Sequence, residues 1–389
     1  MSVRSLFLSG RLSMAVALIA VGACSDSSSG TTSAISNAYG DGDGDGTSGG
    51  SNSATYTPTA LVGDTSGSAP VVDPNLINPW GIAYGPDTAF WVADNGTGKS
   101  TVYDGKGAPQ PANAPLIVGM PLPAGSADKA AKPTGIAYYG GKAFKVSASG
   151  ESASARFLFA TEQGTILGWT SDLTPDEAIL AVDASGDDAI FKGLTLVPHD
   201  KSEWLAVTDF HNGVIRVYDD KFKPVTLAKG AFVDSDLPQG YAPFGIQLVG
   251  KYVYVTYAQQ DADKEDDVPG EGLGYVSQFK TDGTFVKQVI SKTVLNAPWA
   301  VAVAPKRFGK FGGALLIGNF GDGTINAFDS KSHKLLGTLS GGNGKPLVID
   351  GLWGLVAGNG KGAGSSNTLY FTAGPSDESH GVFGKIEAK

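Results

Sequence analysis

Acids, amides and tryptophans recur at matched places along this 389-residue chain. Asp94, Glu162, Asp209, Tyr257 and Asn319 each close a short apolar run, and aligning those runs puts them at equivalent positions. Three carboxylates and an amide brought to one mouth would offer hard oxygen ligands of the kind calcium takes, about six to eight at a time. Each acid equally suits the capping of its own turn. His211 beside Asp209, and His380 after Asp377 and Glu378, are the histidines that accompany them. No His-x-His or His-Glu-x-x-His spacing occurs, which disfavours zinc. A second candidate calcium site is the acidic stretch from Gln259 to Gly272, where Asp261, Asp263 and Glu265 alternate. It lacks the central glycine and the glutamate in twelfth place that an EF-hand needs, so a solvated lid is the other reading. The third feature is aromatic. Trp80, Trp299 and Trp353 stand just before a recurring small residue, with Asn78 two residues before Trp80 and Asn95 next to Asp94. Three such indoles either fill gaps between neighbouring sheets or form a shared wall for a ligand.

The elements that must position these residues are set by that small-residue anchor. Gly81, Gly135, Gly193, Gly245, Ala300 and Gly354 follow one another at intervals of 54, 58, 52, 55 and 54 residues. A period of this size signals a propeller or a solenoid. Each copy has an apolar strand at the anchor and further short strands rich in Val, Tyr, Phe and Thr, with no sustained helical periodicity. The expected fold is all-β: a six-bladed β-propeller with four-stranded blades. The last copy lacks its fourth strand. Thr59–Gly63 resembles Ala114–Gly119, the outer strand of the first copy, so Tyr56–Asp64 is expected to close the ring on the C-terminal blade and hide its edges.

A net charge of −9 excludes the basic face that nucleic acid demands. The single cysteine, Cys24, rules out an intramolecular disulfide. It ends a stretch in which Arg4 and Arg11 precede a short apolar run and Val21-Gly22-Ala23, the form of an export signal with a lipobox. Residues 1–23 are read as a lipoprotein signal peptide and Cys24 as the lipidation site. Residues 24–55, rich in Ser, Gly and Asp, are read as a flexible tether, and 56–389 as the propeller. With Ser25 after the cysteine, the expected address is the outer membrane or the periplasm, or the medium if Cys24 is not lipidated. The lipid anchor is then the only membrane contact, and the protein is expected to be a monomer.

The unit Asn78-Pro-Trp-Gly-Ile-Ala83, the run Trp91-Val-Ala-Asp-Asn-Gly-Thr-Gly98 and the run Tyr254-Val-Thr-Tyr-Ala-Gln-Gln-Asp-Ala-Asp263 resemble the NHL-like propellers, and in particular a family of exported bacterial propellers of unassigned function. The resemblance spans roughly residues 56 to 388 and implies fold and export. The expected function is therefore a binding or scaffold module at the cell envelope. Its face would carry Asn78, Trp80, Asp94, Asn95, Glu162, Asp209, Tyr257, Trp299, Asn319 and Trp353, and meet an extracellular protein, a polymer or a small ligand. A resemblance to lactonase-type propellers implies the alternative: a hydrolase with an axial Ca²⁺ on Asp94, Glu162, Asp209 and Asn319 polarising a lactone or phosphoester oxygen, and His211 or His380 as base.

Overall fold

A computed structural model describes residues 55–389; the expected signal peptide, Cys24 and all but the last residue of the tether lie outside the described residues. Six antiparallel sheets follow one another along the chain. Their innermost strands are Pro79–Ala83, Pro133–Tyr138, Phe191–His199, Tyr241–Val249, Pro298–Val303 and Leu352–Ala357. Each of these packs on the next, and the sixth packs on the first, so the sheets are blades of one closed ring.

The anchor residues explain the close approach at the axis. A Cβ on Gly81 would strike the Thr134 carbonyl oxygen of the next blade, and one on Gly245 would strike that of Trp299. Glycine is needed there because backbone faces backbone. All six inner strands are irregular at this point, as between Leu352 and Leu355 or Pro243 and Ile246, so the anchor N–H needs another partner. A threonine on the second strand supplies it. Gly193 N–H donates to Thr208 Oγ1 at 2.7 Å, Gly245 N–H to Thr256 Oγ1 at 2.8 Å and Gly354 N–H to Thr372 Oγ1 at 2.9 Å. Thr208 then donates to the Phe244 carbonyl of the next blade at 2.8 Å, and Thr372 to that of Trp80 at 2.5 Å. One hydroxyl thus repairs a bulge and stitches two blades together.

Ring closure follows the expected strand. Tyr56–Gly63 pairs antiparallel with Val382–Ala388, outside Leu369–Ala373, and Val71–Val72 adds a short parallel fifth strand. Tyr56 is buried, stacks on Phe311 at 5.7 Å and donates its hydroxyl to the Phe308 carbonyl. The two ends of the described chain meet beside it, where Lys389 N–H donates to the Thr55 carbonyl at 2.9 Å.

Two details differ from the sequence reading. Blade three has three strands rather than the expected four, with no fourth strand at residues 225–228. Pro224 has no N–H to give, and after a single bond from Val225 N–H to the Val217 carbonyl the chain crosses to blade four. There Phe232 N–H bonds the Gly283 carbonyl and its ring packs on Phe279. Residues 139–154, a Gly/Ser/Ala-rich insertion between the first two strands of blade two, contain a hairpin that the sequence reading did not expect, Lys145–Ala148 with Glu151–Ser154.

Candidate functional site

The loops that enter each inner strand, and those that leave each second strand, emerge on one face of the ring. The residue before each anchor forms a circle there: Trp80, Thr134, Lys192, Phe244, Trp299 and Trp353. The aromatic members collapse into a plug. Trp80 stacks on Trp353 at 3.5 Å, Phe320 stacks on Trp353 at 4.0 Å, and Trp299 meets both tryptophans edge-on. Trp80 is 3% exposed and Trp353 1%, while Trp299 is partly open. Below the plug runs a narrow axial channel of about 40 Å³ lined by the anchor residues. The indoles therefore close the channel, and their edges and the groups above them are what a ligand would meet.

Lys192, the charged member of the circle, is 1% exposed. Its ammonium lies 5.2 Å from the Trp80 ring, 2.5 Å from Glu162 and 3.0 Å from Asp266. Burial acts to lower its pKa, but the two carboxylates outweigh burial and hold the ammonium above its ordinary range. Around this pair runs a chain of polar contacts. Asn95 Nδ2 donates to Glu162 at 3.2 Å, Asn78 Nδ2 donates to Glu378 at 2.9 Å, and Trp353 Nε1 donates to Asn78 Oδ1 at 3.0 Å. Trp299 Nε1 donates to the Lys192 carbonyl at 3.1 Å.

Glu378 reaches the mouth on a strained turn. Ser376, Asp377 and Glu378 all have positive φ, 58°, 51° and 61°, and Glu378 N–H closes the turn on the Gly374 carbonyl. Three consecutive non-glycine residues in the left-handed region cost about 1 kcal/mol or more each. Burial pushes the Glu378 carboxyl up, its bond from Asn78 opposes this, and Glu162 adds to the rise. The loop 260–272 of blade four folds over the same mouth. Gln260 Nε2 donates to the Phe210 carbonyl at 2.7 Å, Asp266 takes Lys192, and Gly270 N–H donates to Asn296 Oδ1 at 2.6 Å. Asp267, next in the chain, is pushed up to about 7, chiefly by burial, with Lys192 opposing and Asp266 and Glu378 adding.

Of the residues singled out in the sequence, Asn78, Trp80, Asn95, Glu162, Trp299 and Trp353 meet at this mouth. Asp94, Asp209, Tyr257 and Asn319 do not join them. Strand pairing makes Asp94, Thr161, Asp209, Tyr257, Asn319 and Ala373 equivalent, so the blade-two counterpart is Thr161 and Glu162 lies one residue further on. One residue along a strand reverses the face. Asp209 accepts from Arg216 Nε at 2.7 Å and from Asn212, both in its own blade, and Asn319 Nδ2 donates to the Val294 carbonyl at 2.7 Å. Asp94 is wholly buried, and burial, with neighbouring Thr101 opposing, raises its pKa. Tyr257 is buried in the core between blades three and four. Asp261 Oδ1 caps the Glu265 N–H at 2.9 Å within the blade-four loop, in which Asp263 is exposed. Among the described residues no three of His, Cys, Asp and Glu gather as a metal group. His380 Nδ1 pairs with Asp64 at 2.8 Å, and His211 lines a groove between blades two and three. Lys192, Asp266, Asp267 and Glu378 were not singled out from the sequence as members of this site. The repeat register held a signal for one of them, because Lys192 occupies the tryptophan position of blade three.

No known protein-family model matches this chain. In fold it is similar to a streptogramin B lyase, at 14% identity and a TM-score of 0.48 over 86% of this chain and 97% of that one. It is also similar to the PQQ-bound aldose sugar dehydrogenase from Streptomyces coelicolor, at 12% identity and a TM-score of 0.46 over 86% and 99%. In sequence it is 33% identical over 340 residues to one uncharacterised protein of Acanthamoeba polyphaga mimivirus, covering 85% of this chain and 80% of that protein. It is 31% identical over 340 residues to a second from the same virus, covering 86% of each. At that identity and over that span, this six-bladed propeller belongs to the same protein family as the two mimivirus proteins.

Proposed function

We propose that this protein is an exported binding module held at the cell envelope by a lipid on Cys24, and that the mouth above the tryptophan plug is its ligand face. One observation carries the reading. A lysine and the carboxylates of Glu162, Asp266, Asp267 and Glu378 are drawn from four different blades to one partly buried spot beside open grooves. Burying charge costs several kcal/mol per ion, and a fold keeps such an arrangement where it recognises something. The polar set around the mouth suits reversible binding by charge and hydrogen bonds. The test is a thermal-shift panel of cationic, anionic and neutral ligands on the full chain. Variants that neutralise Glu265 and Asp128 beside the mouth should lose the shifts seen with wild type, and a variant at Lys251, in the turn at the opposite ends of the blade-four strands, should keep them. Shifts that follow Lys251 instead would overturn the assignment of the face. Palmitate labelling that persists in Cys24→Ala would remove the anchor from the proposal.

A further inference from the structure

Asp94 of blade one and Asp209 of blade three end the second strand of their blades at the same place, and both are fully buried. Their third strands run in the same register. Arg216 lies opposite Val207, two residues before Asp209, and Thr101 lies opposite Val92, two residues before Asp94. Residues directly opposite share a face of the sheet, so in blade three a guanidinium is delivered to the acid. Arg216 Nε donates to Asp209 Oδ2 at 2.7 Å and Asn212 Nδ2 to the same oxygen at 2.9 Å. The backbone N–H groups of Asn212 and Ile190 donate to Oδ1 at 3.2 and 3.3 Å. Blade one keeps the acid and has a threonine at the position of the arginine.

The consequence is written in the atoms. Neither Oδ1 nor Oδ2 of Asp94 has a hydrogen-bond partner among the described residues, and neither has Thr101 Oγ1, on a side chain 1% exposed. The two residues share their face with Phe90, Val92 and Tyr103, whose rings and methyls pack against blade six. The charged groups around them are committed elsewhere. Lys99, directly opposite Asp94, gives its ammonium to Asn75 Oδ1 at 2.6 Å. Asp73 accepts the Tyr103 hydroxyl at 2.8 Å and, on its other oxygen, the Asn75 backbone N–H and Nδ2. A buried charge is either paired or coordinated to a metal. Full burial limits the occupant to a single ion, and the arginine of the sister blade supplies one positive charge at this place. Ca²⁺ would require about six to eight oxygens, and Asp73, already bound by three donors, is not free to balance a second charge.

We infer that Asp94 and Thr101 hold a monovalent metal cation, Na⁺ or K⁺, in the seat that Arg216 fills in blade three. Both Asp94 oxygens and Thr101 Oγ1 are its ligands. The ion ties the second strand of blade one to the third, directly behind Asn95. This seat is separate from the ligand face and does not rest on it.

Calorimetry of the full chain, exchanged into a buffer with choline as the sole cation, tests it. Replacing choline by Na⁺ or K⁺ at constant ionic strength is expected to raise Tm by about 2 °C for each tenfold of free ion above its Kd. Thr101→Val, the same shape without the hydroxyl, should require at least tenfold more ion for the same rise, and Asp94→Asn should abolish it. Asp263→Asn, in an exposed loop, should respond as wild type does. A Tm that does not distinguish Na⁺ and K⁺ from choline would overturn the inference, and so would an unaltered response in Thr101→Val, which decides the matter if Asp94→Asn does not fold. A rise with Ca²⁺ that exceeds the rise with Na⁺ and K⁺ and is lost in Thr101→Val would overturn the monovalent ion.

Discussion

Replacing Asp267 with asparagine removes one titrating proton from the mouth and leaves the shape of the side chain nearly unchanged. Burial lifts this carboxyl from an ordinary aspartate value of 3.8 to about 7, Lys192 opposing and Asp266 and Glu378 reinforcing. Glu162 is bonded to the same lysine. A carboxyl whose folded pKa is raised binds its proton more tightly in the folded chain than in the unfolded one. Its contribution is therefore full below about pH 4 and is lost as pH rises through about 7. A rise of roughly three units at about 1.4 kcal/mol each gives ~4 kcal/mol. Residues 55–389 unfold with an entropy of roughly 0.7 kcal/mol/K at about 2.1 cal/mol/K per residue, so the effect on Tm is ~6 °C. Calorimetry from pH 4.5 to 8 on wild type and Asp267→Asn reads it directly. The variant should gain on wild type across that range by several degrees, because asparagine has no proton to lose. A difference in Tm that stays constant with pH would refute the reasoning and move the titration to another group.

Three other perturbations probe the frame that holds the mouth. Lys192→Ala leaves Glu162 without its buried partner and should cost about 3–5 kcal/mol in urea unfolding; Lys192→Met, which keeps the stem packed over Trp80 but loses the same ammonium, should cost nearly as much, and a Met variant as stable as wild type would show that charge is not what matters. Thr372→Val deprives the Gly354 N–H and the Trp80 carbonyl of their shared hydroxyl, for an expected loss of about 2–3 kcal/mol in the same assay; Thr372→Ser should restore most of it. Tyr56→Ala removes the ring that seats the closing strand against Phe308 and Phe311, and should cost about 3–5 kcal/mol and raise the apparent mass in size-exclusion chromatography as the Val382–Ala388 edge is bared. A monomeric, fully stable Tyr56→Ala would mean that closure does not depend on this anchor.

The ring was legible because every blade repeats one solution to one problem, the meeting of backbones at the axis. That problem writes a small residue into the chain at nearly constant intervals, and the likeness of Thr59–Gly63 to Ala114–Gly119 supplied the missing strand. The mouth was legible only where it is built from the repeat, as at Trp80, Trp299 and Trp353. Glu162 was set one residue out of register with Asp94 and Asp209, because the closing turn of blade two, Thr161-Glu162, is offset against those of its neighbours and a strand turns over with each step. Glu378 was beyond reach for another reason. Its position depends on three left-handed residues in a row, a conformation no local preference announces, and Asp266 and Asp267 belong to an insertion outside the repeat.

The meeting of Thr55 with Lys389 has a consequence for how the molecule is held. The closing strand starts at Tyr56, opposite Ala388, and reaches the side of the mouth only at Gly63, opposite Val382. Whatever is joined through either terminus is therefore joined on the underside, and a propeller tethered there presents its acidic grooves away from the point of attachment. An immobilisation tag joined after Lys389 should leave the side that carries the mouth free to the solution.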